Sequence, residues 1–200
     1  MKVELRSDGV HISGYVNVTG RQSRPVLTPR GRVIEVVEQR AFARAIERAG
    51  GKVNMLLDHN PNRLLASTID GTLTVSEDEI GLRAEAVVAD AEVIEGAKSK
   101  KLRGWSFGMK NVVDSVEERA DALPIRHVKD FNMYEISLLM YRNPVYSATS
   151  VEIRADKEEE VEERALNSQV EFVLPEPEPQ PEPPKYDNSA FKARLDALKQ

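Results

Sequence analysis

Residues 103–113 read RGWSFGMKNVV, a run that points to different folds according to whether a helix or a strand follows its serine. It contains a literal G-x-S-x-G, from Gly104 to Gly108, the signature of an elbow in which a serine ends a strand and the next residues start a helix. The following residues argue against that geometry. Val112, Val113 and Val116 are β-branched and form helices poorly. Ser106, Gly108 and Lys110 alternate with Phe107, Met109 and Asn111 at the period of a strand. Ser106 is therefore expected near the start of a β-strand. An α/β-hydrolase would need its acid (Asp114, Glu117, Glu118 or Asp121) and then His127 downstream of the serine, and the valine-rich continuation disfavours it.

Working outward, the same period-two patterning recurs along the first three quarters of the chain. Short strands are expected around Val3 and Leu5, over 10–18, at 33–37, at 52–57 ending at Asn60-Pro61, at 64–69, 71–75 and 80–88, at 124–128, at 131–140 and at 147–153. Phe42, Ala45, Ile46 and Ala49 share one helical face and Gly50-Gly51 follows, which predicts a helix over 38–48. A second short helix is expected over 91–101. Strands that follow one another without regular helical crossovers predict an α+β fold, a mainly antiparallel β-barrel with flanking helices. Trp105 and Phe107 are expected in its core.

Composition narrows the class. Forty per cent of the 200 residues are hydrophobic, enough for one domain with an appendage. No cysteine is present, which removes thiolate nucleophiles, disulfides and cysteine zinc sites and fits a reducing compartment. The start of the chain has no apolar leader, and no apolar run reaches membrane-span length, so a soluble intracellular protein is expected, with no membrane partner. Residues 1–156 carry 22 basic and 22 acidic residues, whereas 157–200 carry 6 and 11. A neutral body argues against a nucleic-acid surface.

The tail differs in kind. Residues 175–184, PEPEPQPEPP, hold six of the 11 prolines, and such an acidic, proline-rich stretch is expected to be an extended spacer without a core. Phe191, Leu195 and Leu198 then share a helical face. The expected organisation is a body over 1–155, an acidic linker over 156–187 and a short terminal helix over 188–200.

Three residues on or just past expected strands can form an acyl-transfer triad: His59 as base, Ser106 as nucleophile and Glu135 as orienting acid, a chain order that the chemistry permits. Asp58 competes for the acid role, while His11 and His127 are expected to be structural or exposed. Taken singly, a strand serine and a turn histidine are common and carry no function.

Three blocks in order carry more. Residues 57–63 (LDHNPNR), 104–109 (GWSFGM) and 134–148 (YEISLLMYRNPVYSA) together resemble the prohead protease family of tailed bacteriophages, and residues 35–45 resemble the family's segment before the histidine strand. The resemblance spans roughly residues 10–153. It implies a fold related to the herpesvirus assemblin barrel and a serine endopeptidase that processes capsid and scaffold proteins inside the immature shell, and itself. By position it implies His59 and Ser106 as the catalytic pair and Glu135 as the third member. It further implies no metal or organic cofactor, the major capsid protein and its scaffold region as partners, a homodimer by analogy with the viral relatives, and a location in the host cytoplasm within the assembling prohead. The alternative in a different class is a non-catalytic capsid assembly protein whose terminal helix recruits a partner.

Overall fold

In the computed structural model, which describes residues 1–28, 30–141, 162–165, 169–175 and 194, the period-two stretches become strands of two sheets. β1 (Lys2–Arg6) and β2 (Gly9–Val18) pair antiparallel, with Val3 opposite Ile12. β3 (Val26–Thr28) and β4 (Gly31–Val37) come next, and residues 54–67 form β5 (Asn54–Leu57) and β6 (Asn60–Ser67). β7 (Leu73–Glu77) and β8 (Gly81–Val88) make a hairpin whose turn is held by the Asp78 carboxylate, which accepts from the Ile80 and Gly81 amides at 2.8 and 3.0 Å. β9 (Gly104–Glu117) and β10 (Ile125–Leu139) are the two longest strands, and β11 (Glu162–Ala165) and β12 (Glu171–Val173) come from the tail.

The first sheet has the order β12-β1-β2-β8-β7. The second runs β11-β9-β10-β4-β3, with β5 also pairing to β10 and β6 to β5. Pairing is mainly antiparallel, with parallel contacts at β1–β12, β10–β4 and β10–β5. Among the described residues neither sheet closes into the expected barrel, because closure needs the outer strands of a sheet to pair with each other and these do not. The sheets instead share one core, in which Val3, Ile12, Leu82 and Val88 of the first meet Met55, Trp105, Phe107 and Ile136 of the second.

Two helices complete this core. α1 (Ala41–Arg48) buries Ala41, Phe42 and Ala45, and Phe42 meets Phe107 and Phe131 edge-on at 5.0 and 5.2 Å. Each such aromatic pair adds about 1 kcal/mol beyond area burial. The helix starts at Ala41, later than expected, because the Glu38 amide still bonds back to Val128 of β10. Its free N-terminal amides are satisfied from outside: the Glu77 carboxylate accepts from Arg40 and Ala43 at 2.6 and 2.7 Å. Gly50 and Gly51, both at positive φ, end it as expected. α2 (Ala91–Lys98) is capped by Asp90, whose side chain accepts from Glu92 and Val93.

The stretches 124–128 and 131–140, expected as separate strands, are one strand, β10. Register shifts at Val128/Asp130, Asp130/Asn132 and Met133/Glu135 absorb the break in alternation. Asn60-Pro61 does not end regular structure; it begins β6, where proline is tolerated because β6 pairs, among the described residues, only with β5. Part of the expected linker is sheet, in β11 and β12. The strand expected over 147–153 lies outside the described residues, as does the terminal helix apart from Arg194.

Candidate active site

β5 and β6 are joined by a two-residue turn, Asp58-His59, with Leu57 paired to Asn60. Both turn residues have left-handed backbones, φ 48° and 61°. Two consecutive positive φ values are what the right-handed twist of a tight hairpin requires, and Asp and His tolerate them better than most non-glycine residues. The Asp58 amide bonds to the Leu138 carbonyl and its carboxylate accepts from the Met140 and Tyr141 amides, which anchors the turn on the end of β10. The competing acid is thus engaged in holding the loop.

His59 is consequently pressed onto the face of β10 that carries Glu135 and Ser137, and all three are buried. His59 Nδ1 lies 2.7 Å from Glu135 Oε1. Ser137 Oγ donates to Glu135 Oε2 at 2.6 Å and accepts from the His59 amide at 3.1 Å. These bonds close a ring. An ionised carboxylate can only accept, so the Nδ1 that faces it carries the proton, and in the neutral imidazole Nε2 is left as the basic nitrogen.

Ser106 joins this group through β-sheet register. It stands directly opposite Ser137 on the β9–β10 ladder, and cross-strand partners project to the same face. Ser106 is fully buried between Trp105 and Phe107, which point to the opposite face and into the core. Its hydroxyl donates at 2.7 Å to the main-chain carbonyl of Arg164 in β11. β11 runs antiparallel to β9 with Ala165 opposite Ser106 and Glu163 opposite Gly108, and a Glu163 carboxylate oxygen lies 3.7 Å from His59 Nε2.

The other face of β11 is held by a buried ion-pair network. Arg164 Nε and Nη2 reach the two carboxylate oxygens of Glu35 at 2.9 and 3.1 Å. Arg126 bonds Glu35, Asp114 and Glu162. Burial works against the charge of both arginines, yet Glu162 beside Arg126 and Glu35 beside Arg164 outweigh it, and both guanidinium pKa values rise above the ordinary arginine value. Burial likewise opposes ionisation of Glu162, but the hydrogen bond from Arg126 and the charge of Arg164 hold its pKa below the usual carboxylate value.

The structure therefore brings His59 and Glu135 into contact and sets Ser106 across the ladder from the serine that links them. His127 lies ten residues up β10 from Ser137 and pairs with Glu117 at 3.2 Å, while His11 pairs with Asp8 at 2.8 Å. β9 continues as a strand past Ser106, so no strand-to-helix elbow forms. Sequence reasoning missed Ser137, although its position two residues after Glu135 on a strand places it on the same face. It also missed the tail strand and its partners Glu35 and Arg126, for which no local signal exists.

The sequence model of a protein family described as caudovirus prohead serine protease matches residues 1–164, a span that takes in His59, Ser106 and Glu135 and ends within β11. No curated protein and no solved structure matches the chain.

Proposed function

This chain belongs to the caudovirus prohead serine protease family, and on that premise we propose that Ser106 is its nucleophile, His59 its general base and Glu135 the residue that orients the base. It is a serine peptidase of bacteriophage capsid maturation. The observation that carries the residue assignment is the buried 2.7 Å contact between His59 Nδ1 and Glu135, on the sheet face that also bears Ser106.

In this reading His59 Nε2 takes the hydroxyl proton as Ser106 Oγ attacks a peptide carbonyl carbon. The imidazolium so formed is stabilised by Glu135, which keeps its own charge. His59 then gives the proton to the departing amine, and a water activated by the same nitrogen hydrolyses the acyl-enzyme. Ser137 has a positioning role, since its hydroxyl fixes the second oxygen of Glu135 and its lone pair holds the His59 amide. The substrates are the major capsid protein and its scaffold region, met inside the assembling prohead in the host cytoplasm.

The test is co-expression with the capsid protein of the same phage, comparing wild type with Ser106→Ala and His59→Ala by intact mass spectrometry. Discrete fragments are expected with wild type and none with either variant. Fragments that persist in both variants, or shells that mature without any cleavage, would overturn the assignment in favour of an assembly protein.

A further inference from the structure

The tail strand runs along the edge of β9 that carries Ser106. β9 pairs with β10 on one side, and its other edge is covered over residues 106–109 by β11. An extended peptide that adds a strand to such an edge gains main-chain hydrogen bonds in any sequence, and its selectivity comes from pockets for alternate side chains. Both parts are present. The register sets Ala165 opposite Ser106, and the Arg164 carbonyl oxygen accepts a 2.7 Å hydrogen bond from the Ser106 hydroxyl. The Arg164 side chain, 8% exposed, is held by two hydrogen bonds to the two oxygens of Glu35, itself 3% exposed.

The core supplies the Glu35 side of this arginine receptor, and the tail's own Glu162 bonds both Arg126 and Arg164. Glu35 and Arg126 are partners on the β4–β10 ladder, and Asp114 of β9 bonds Arg126 from the other side. Arg126 and the exposed Arg30 balance Glu35 and Asp114, and the tail brings Glu162 along with Arg164, so the selection lies in the two oxygens that Glu35 presents and not in a surplus of charge. A fork-shaped guanidinium satisfies both Glu35 oxygens, which an ammonium does not.

We infer that the chain reads its substrates as strands added to β9 with arginine on the acyl side of the cut bond, that Glu35 is the residue selecting it, and that Arg164–Ala165 is a cleavage site in the chain itself. The inference rests on Ser106 being the nucleophile. The Ser106 Oγ–Arg164 carbon bond forms as the Arg164–Ala165 amide bond breaks. The hydroxyl proton passes through His59 to the new amino terminus of Ala165. One water then releases the Arg164 carboxylate and restores the Ser106 hydroxyl. Glu163, whose carboxylate approaches His59 Nε2, is the residue before the arginine in such a substrate.

The experiment begins with intact masses of the full-length wild-type chain and its Ser106→Ala variant. Both proteins are then given two synthetic peptides spanning residues 158–170, one with arginine at 164 and one with citrulline, its neutral isostere. The wild-type chain and the arginine peptide are expected to break between 164 and 165, the Ser106→Ala chain to stay whole, and arginine to be preferred over citrulline by at least about 30-fold in kcat/KM. In Glu35→Gln that preference falls below about threefold, whereas a purely structural Glu35 would slow both peptides alike. Should Glu35→Gln fail to fold, Arg164→Ala in the full chain serves: its 164–165 bond should survive, and a break there overturns the inference. Equal cleavage of the two peptides overturns it too. Ser106-dependent cleavage of the capsid protein at bonds not preceded by arginine, with 164–165 intact, overturns it while the protease reading stands. Loss of all Ser106-dependent cleavage overturns both.

Discussion

Two buried polar clusters sit on the second sheet, and they are built on opposite plans. His59, Glu135 and Ser137 form a small ring in which each hydrogen bond fixes the next, and the outcome is a defined proton position. Glu35, Asp114 and Glu162 face Arg126 and Arg164 in a network of full charges, with the exposed Arg30 on Asp114 as the third cation, and the outcome is a balance of charge. The ring is complete within residues 59–137. The network is completed only by two residues of the tail. Burial sharpens chemistry in the first cluster, and in the second it makes the core depend on who supplies the opposite charge.

The largest effect that tests this contrast is Glu135→Gln. The variant keeps the shape of the ring but lets the wrong imidazole tautomer form, so kcat should fall on the order of 10⁴-fold with the fold intact. Steady-state kinetics on any cleaved peptide, alongside circular dichroism, measures both; a loss below about tenfold would mean that the ring is only structural. Next in size is Arg126→Ala, which leaves Glu35 and Asp114 short of a counter-charge. It should cost about 3 kcal/mol of unfolding free energy, read from urea denaturation of Ser106→Ala backgrounds; a cost under about 1 kcal/mol would make the network no better than a surface pair. The smallest is a pH effect. The folded pKa of Glu162 is depressed, so its stabilisation is present above its ordinary value near 4.5 and is lost as pH falls through the lower folded value. Wild type should therefore be more stable than Glu162→Gln at pH 7, and the two should converge on acidification, as seen in paired thermal melts. A gap that is constant with pH would remove the carboxylate charge as its cause.

The two clusters were not equally legible in the sequence. His59 and Ser106 stand in blocks with distinctive neighbours, and alternation around Trp105 and Phe107 was enough to place Ser106 on a strand. Glu135 and Ser137 follow from the same period of two once the strand is granted. The network is different, because Arg164 and Glu35 are 129 residues apart and 162–164 belong to a run that reads as a solvated charged face. Only the folded register shows that this run lies against buried partners. The barrel failed for a related reason: alternation gives the strands and their faces, but which outer strands pair is decided by long-range contacts that no local pattern encodes. In the sequence the turn at Asp58-His59 looks like a strand end because Asn-Pro usually breaks structure, and its left-handed pair of residues carries no glycine to announce it.

The second tail strand gives the first a wider reach. β12 lies parallel to β1, the Glu171 amide bonds the Met1 carbonyl, and the N-terminal ammonium bonds the Gln169 carbonyl. While the chain is whole, a short tether keeps β12 beside β1 at an effective concentration on the order of millimolar. If the chain is cut after Arg164, β12 belongs to the departing piece. A three-residue register must then hold against the bulk concentration, and dilution alone strips it away. Hydrolysis on one sheet would thus be converted into an open edge on the other, with its unpaired N–H and C=O groups ready for a further strand.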